Sequence, residues 1–267
     1  MKPEITVILR IRAKHQTENM EAIRDGFKAL GVPVVLQGAN VPIKTKHVAL
    51  WGWRLGKELR DQGYEVMVAE HGYIGDRFKH TSLAWNGLNG YGTFAEYPDD
   101  AERFTAHGGE ILPWKYNDDA PALLLGQLKD DQSLKGENIE SLYNEWVRKS
   151  DRPVIYRPHP VMQAKGMAFS IKAEESQGTL REALDKCSYA LAFNSNSLVD
   201  ALMYGVPAVA MDRGSMVHRL CGEGLGHIIR PKREKVLYSL AWKQFTLDEI
   251  AKGWPLEHLW RLRLGNP

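Results

Sequence analysis

Asn194-Ser195-Asn196-Ser197-Leu198-Val199-Asp200-Ala201-Leu202-Met203-Tyr204-Gly205-Val206-Pro207-Ala208-Val209-Ala210-Met211-Asp212 divides into three pieces. A polar turn opens a short helix, Gly-Val-Pro breaks it, and an apolar run after Pro207 reads as a buried strand. Tyr189 to Phe193 ahead of it is a second apolar strand. The unit is strand, turn, helix, strand, with Ser195, Asn196 and Ser197 at the helix N-terminus. Backbone N–H groups and the positive end of the helix dipole favour a phosphate there. Asp200, one turn in, is placed to accept hydrogen bonds from ribose hydroxyls. Plain N-capping accounts for the same small polar residues and is compatible with ligand binding.

Some 35 residues upstream, Val154-Ile155-Tyr156-Arg157-Pro158-His159-Pro160 reads as a strand ending in a cation and an imidazole. Pro158 and Pro160 fix the backbone on either side of His159. Arg157 and His159 are therefore candidates for holding phosphate, and His159 for stabilising charge on a leaving group. A rigid strand exit with surface polar residues is the plainer alternative. Two adjacent strand ends carrying anion-binding groups fit the carboxyl edge of an open α/β sheet, where such folds bind ligands.

These two segments resemble the nucleotide-sugar half of GT-B glycosyltransferases. The Arg-Pro-His-Pro element is similar to the His-Pro motif of capsular Kdo transferases and bacterial sialyltransferases. The Ser-x-x-Asp-Ala-x-x-x-Gly-x-Pro run resembles the donor-binding helix of GT-B enzymes, with Asp200 where Glu is more usual. The resemblance covers roughly residues 121–230. It implies two Rossmann-like α/β domains facing a cleft, and a nucleotide sugar, UDP- or CMP-linked, as co-substrate. It also implies closing helices that cross back onto the first domain. Gln127, Asp131 and Ser133 follow an apolar strand and resemble a Gln-containing element near the donor cleft of capsule-type transferases; a solvated turn is the alternative.

Strand and helix alternate along most of the chain, which predicts parallel, doubly wound sheets. Strands are expected at Ile5–Arg12, Val32–Leu36, Lys46–Trp51, Tyr64–Glu70, Ala122–Leu128, Pro153–Tyr156 and Tyr189–Phe193. Helices are expected at Glu18–Leu30, Trp53–Gln62, Glu137–Lys149 and Thr179–Lys186. Residues 82–94, rich in Gly, Asn and aromatics, read as a long loop. A boundary falls near 113–121, giving an acceptor-side domain of 1–120 and a nucleotide-sugar domain of 121–235. The tail, 236–267, reads as helices broken at Pro255.

In the first half the leading candidate is Glu70, at the end of an apolar strand. A carboxylate there is placed to take a proton from an acceptor hydroxyl. His71 is the alternative base. Gly72 to Arg77 adds two glycines, Asp76 and Arg77, suited to a clamp on phosphate or carboxylate. A structural carboxylate and an ordinary turn are the competing readings. Tyr73, Trp85, Asn86 and Asn89 are the candidate acceptor contacts. Trp85 and Tyr91 are candidates for stacking on a base, and Arg77, Lys79 and His80 for meeting phosphates.

The 267 residues are 43% hydrophobic and 25% charged, ordinary for a globular protein. A net charge of +2 gives no global argument for a nucleic-acid partner. No segment reaches a membrane span, and no secretory leader is recognisable. Cys187 and Cys221 show no metal spacing and read as free thiols, which points to the cytoplasm, that of a host if the protein is viral. No Walker A, GxGxxG or GxSxG pattern occurs, disfavouring ATP hydrolysis, ordinary dinucleotide binding and α/β-hydrolase chemistry. A DxD pair is also missing, so no metal site is expected and phosphate charge falls to Arg, His and backbone N–H groups. No tightly bound cofactor is expected.

The reading is a glycosyltransferase acting on an acceptor hydroxyl. The resemblance extends to bacteriophage enzymes that glycosylate hydroxymethylpyrimidines in DNA, which makes DNA one candidate acceptor. A capsule or lipid-linked glycan is another. A nucleotide-sugar 2-epimerase and a catalytically silent nucleotide-binding protein are the competing functions. The sequence leaves oligomeric state open.

Overall fold

The computed structural model describes residues 4–9, 13–98 and 100–264. The chain forms two compact units, one of residues 1–99 with 239–267 and one of 100–238. Each has its own sheet.

The first segment runs β1 (Ile5–Leu9), α1 (Lys14–Ala29), β2 (Val34–Gly38), β3 (His47–Trp51), α2 (Trp53–Asp61), β4 (Glu65–His71) and β5 (Thr81–Trp85). Strands β2, β1, β3 and β4 lie side by side in parallel, and β5 joins β4 antiparallel. Arg10 to Arg12, the end of the expected first strand, lie outside the described residues. Helix α1 begins before the expected Glu18 and buries Met20, Ile23 and Phe27 against the sheet. The expected loop over 82–94 is corrected in part. Thr81 to Trp85 is a strand buried on both faces, so it lacks the polar alternation that marks a half-exposed one.

The second unit contains α3 (Ala101–Ala106), β6 (Ala122–Leu125), α4 (Ile139–Lys149), β7 (Val154–Arg157), α5 (Pro160–Ala164), β8 (Glu174–Glu175), α6 (Leu180–Asp185), β9 (Tyr189–Ala192), α7 (Ser197–Met203) and β10 (Ala208–Ala210). Its sheet has the order β10-β9-β6-β7-β8, with every pair parallel. The chain winds outward from β6 through β7 to β8, then returns to place β9 and β10 on the other side. The winding therefore reverses between β6 and β9, and their carboxyl ends flank a topological switch point. This unit starts earlier than the 113–121 boundary, because the segment before β6 is tied to α7. Leu112 N–H donates to Met203 O at 2.8 Å and Lys115 N–H to Gly205 O at 2.7 Å.

Helix α8 (Glu234–Ala241) leads back to the first unit. There β11 (Gln244–Phe245) pairs antiparallel with β5, followed by α9 (Leu247–Ala251) and α10 (Trp254–Leu264). The tail is thus not purely helical. Pro255 opens α10 instead of breaking a helix, since the first turn needs no amide from it. Ile250, Leu256, Leu259 and Trp260 complete the core beneath α1. Gly26 allows this approach: a Cβ on it would lie 2.1 Å from the Ile250 carbonyl oxygen.

Candidate active site

The second sheet's carboxyl edge gathers most of the residues expected to meet a donor. Four adjacent parallel strands, β10, β9, β6 and β7, run out into Asp212, Asn194, Gln127 and His159. Gly126 lets two of these exits converge, because a Cβ there would lie 2.7 Å from His159 N and 2.9 Å from Arg157 O. Gln127 is buried, and its amide is committed to Asn194. Nε2 donates to Asn194 Oδ1 at 2.8 Å, and Oε1 accepts Asn194 N–H at 3.1 Å. Asn194 Nδ2 donates to Asp212 Oδ2 and to Ser133 O, each at 2.8 Å. Asp212, only 7% exposed, also accepts Lys135 Nζ at 2.7 Å and Gly214 N–H at 3.1 Å. This buried polar network locks the strand exits around the switch point.

His159 precedes α5 as its N-cap, and its Nδ1 accepts Val161 N–H at 3.3 Å. That bond needs an unprotonated Nδ1, which leaves Nε2 as the donor of the neutral ring. Burial pushes its pKa down, opposed by the charge of Asp131. Asp131 Oδ1 accepts Ser133 N–H at 2.8 Å and so caps the turn after β6. Arg157 is half-buried and commits Nη1 to Gly178 O at 2.8 Å. Ser195, Asn196, Ser197 and Asp200 lie half-buried at the start of α7. Ser197 N–H already donates to Ser195 Oγ at 3.3 Å, and the Asn196 side chain makes no capping bond. Asn194 and Lys135 complete the edge and were not singled out from sequence. Asn194 stands in the deciding stretch, but nothing local distinguishes its buried amide from an N-cap.

The first sheet has its own carboxyl edge, where Glu70 and His71 end β4. Glu70 is half-buried, and its Oε1 lies 3.8 Å from the position of a Cβ on Gly52, between β3 and α2. His71 packs its ring against Trp51 at 5.1 Å, His15 at 5.3 Å and Phe78 at 4.9 Å between centroids. Burial lowers the His71 pKa, and the neighbouring His15 lowers it further. His15, in the first turn of α1, has no motif around it; only the topology brings it here. The turn after β4 hangs on Gln244, whose Oε1 accepts Tyr73 N–H at 2.6 Å and Ile74 N–H at 2.9 Å. Gln244 Nε2 donates to Ile74 O at 3.1 Å. Asp76 is exposed and accepts Phe78 N–H at 3.2 Å, with Lys79 Nζ at 3.5 Å. Arg77 lies half-exposed on the same turn.

The four expected acceptor contacts do not meet at this edge. Tyr73 is 1% exposed and shares a 2.7 Å hydrogen bond with Ser82. Trp85, also 1% exposed, donates its indole N–H to Leu259 O at 2.8 Å. Neither ring is available for stacking. Asn86 Oδ1 accepts Val66 N–H at 2.7 Å, and its Nδ2 donates to Glu65 Oε2 at 2.6 Å. Asn86 therefore sits opposite Val66 near the amino end of β4, about 13 Å from Glu70 along the strand at ~3.3 Å per residue. Asn89 and Tyr91 belong to a short 3₁₀ turn at that same remote end. The separation of Trp85, Asn86 and Asn89 from Glu70 comes from β5, which as an antiparallel strand carries its last residue and those after it to the opposite edge.

No family model matches the sequence, and no curated protein matches it. Among solved structures, the Thermosulfurimonas dismutans KpsC beta Kdo 2,7 transferase matches with a TM-score of 0.55. The match is 13% identical and covers 95% of this chain and 99% of that one. The chain has the GT-B fold. The GT-B match spans both units, so the fold does not depend on the second unit alone. Two further matches are weaker. Spinosyn rhamnosyltransferase SpnG gives a TM-score of 0.31 at 13% identity, over 99% of this chain and 70% of that one. The S. aureus MnaA–UDP co-structure gives 0.30 at 11%, over 100% and 99%. At these scores the last two carry no argument.

Proposed function

We propose that this GT-B chain is a glycosyltransferase that moves a sugar from a nucleotide-sugar donor to an acceptor hydroxyl. The observation that carries the reading is the second sheet's carboxyl edge, where Gln127, Asn194, Asp212 and His159 end four neighbouring strands at a switch point. The fold shared with a Kdo transferase supports the same class of reaction. In this reading His159 Nε2–H donates to the leaving phosphate as the bond to the sugar's anomeric carbon breaks. Arg157, Lys135 and the amides opening α7 share the phosphate charge, and Asp200 takes the ribose. The acceptor oxygen bonds to the anomeric carbon, and its proton passes to Glu70, with His71 adjacent. Asp76 and Arg77 shape the acceptor side.

The acceptor hydroxyl belongs either to a hydroxymethylpyrimidine in DNA or to a glycan. The test is release of free nucleotide from a panel of UDP- and CMP-linked sugars, with and without a mixed acceptor pool, in buffer containing EDTA. One donor is expected to be consumed faster with acceptor present, with EDTA leaving the rate unchanged. Failure of every donor to be bound or consumed would overturn the reading.

A further inference from the structure

Phe78 is 81% exposed, yet the turn that carries it is tightly fixed. Gly72 N–H donates to Arg77 O at 3.1 Å and to His80 O at 3.0 Å. Lys79 N–H donates to Asp76 O at 3.0 Å, the His80 ring lies 3.1 Å from the same carbonyl, and Gln244 holds the preceding residues from beneath. A phenyl ring left in water forgoes the free energy of burial. Here its mount is rigid, and its ring packs against that of the half-buried His71 at 4.9 Å between centroids. Arg77 and Lys79 flank it in the chain. Asp76 precedes them, and its 3.5 Å pair with Lys79 is exposed on both sides and weak.

A rigid exposed aromatic between two cations is the composition that binds single nucleic-acid strands, where bases stack on the ring and phosphates meet the cations. Phe78 offers no hydrogen-bonding group, and Arg77 and Lys79 offer only donors, which suits a base and its phosphates better than the mixed hydroxyls of a glycan. The turn leaves the same strand end that holds Glu70 and His71. We propose that Phe78 is the stacking platform for an unpaired base of an acceptor nucleic-acid strand, with Arg77 and Lys79 on the adjoining phosphates. This rests on the proposed glycosyl transfer and names the acceptor for it.

The test is fluorescence anisotropy of the full chain with labelled single-stranded DNA and RNA oligonucleotides and a neutral oligosaccharide, across a salt series. Phe78→Ala is expected to weaken oligonucleotide binding roughly 5- to 150-fold, the weight of one stacked base. Phe78→Tyr, which keeps a ring, is expected to restore it. Arg77→Gln with Lys79→Gln should flatten the slope of log affinity against log salt by roughly 0.7 per lost contact. Comparing the DNA and RNA arms assigns the sugar of the strand. Tighter binding of the oligosaccharide, or equal oligonucleotide affinity in wild type and Phe78→Ala, would overturn the proposal. Nucleotide-sugar binding to the wild type, measured in parallel, separates the two failures. If it is present while the stacking test fails, only the acceptor inference falls.

Discussion

At His159, the Val161 amide selects the ring tautomer, and burial keeps the ring neutral near pH 7. A neutral imidazole with its proton on Nε2 can donate to a phosphate oxygen without first gaining a proton. His159→Ala should lower turnover by about 10²-fold or more, the weight of one charge-stabilising donor. Steady-state kinetics with a thermal-melt control would check this, and an unchanged kcat would remove His159 from the chemistry. Glu70→Gln keeps size and polarity but cannot take a proton, so kcat should fall roughly 10²- to 10⁴-fold with donor affinity nearly intact. Wild-type turnover in Glu70→Gln, with loss in His71→Ala, would move the base one residue along β4. Burial raises both thiols, Cys187 and Cys221, to about 12. Thiolate is the reactive form, so neither should react with a disulfide reagent at pH 7.5 until the chain unfolds. Fast labelling of the native protein would contradict the burial of both sites.

Among the elements, those that the sequence made legible are bounded apolar runs. Ala122 to Leu125 and Tyr189 to Ala192 are buried throughout and flanked by turn residues, so their type and order could be read directly. The carboxyl edge of the second sheet was legible for the same reason, since parallel strands put every carboxyl end on one side. The first sheet's edge was not. Thr81 to Trp85 is as buried as a parallel strand but runs antiparallel, and a single reversed strand puts Trp85, Asn86 and Asn89 at the opposite end from Glu70. His15 and Gln244 were invisible because their partners lie far away in the chain: Gln244 bonds Tyr73 and Ile74 across 170 residues or more. Gln244→Ala would strand two buried amides and a carbonyl, each costing about 1–3 kcal/mol. It should therefore destabilise the protein by about 3 kcal/mol or more in urea unfolding. A loss below ~1 kcal/mol would mean that the turn after β4 holds itself.

For the molecule as a whole, His47, His71 and His159 share one direction: burial lowers all three. The unfolded chain then binds protons more readily than the folded one between the ordinary histidine pKa of ~6.5 and the lowered values. The stability they contribute is complete above that ordinary value and is lost as pH falls toward the folded-state pKa values. The melting temperature should therefore drop from pH 7.5 to 5.5, before the carboxylates held low by ion pairs begin to titrate. Equal melting temperatures across that window would contradict the burial of these rings. None of the described helices is long and apolar enough to cross a membrane. The central claim is that the second sheet's carboxyl edge holds a nucleotide sugar, and calorimetric titration of a UDP- and CMP-sugar panel tests it most directly. Saturable binding of one donor by the wild type, weakened about tenfold or more by His159→Ala, is the predicted result. Absence of binding by every member of the panel, or equal affinity in the two proteins, would contradict it.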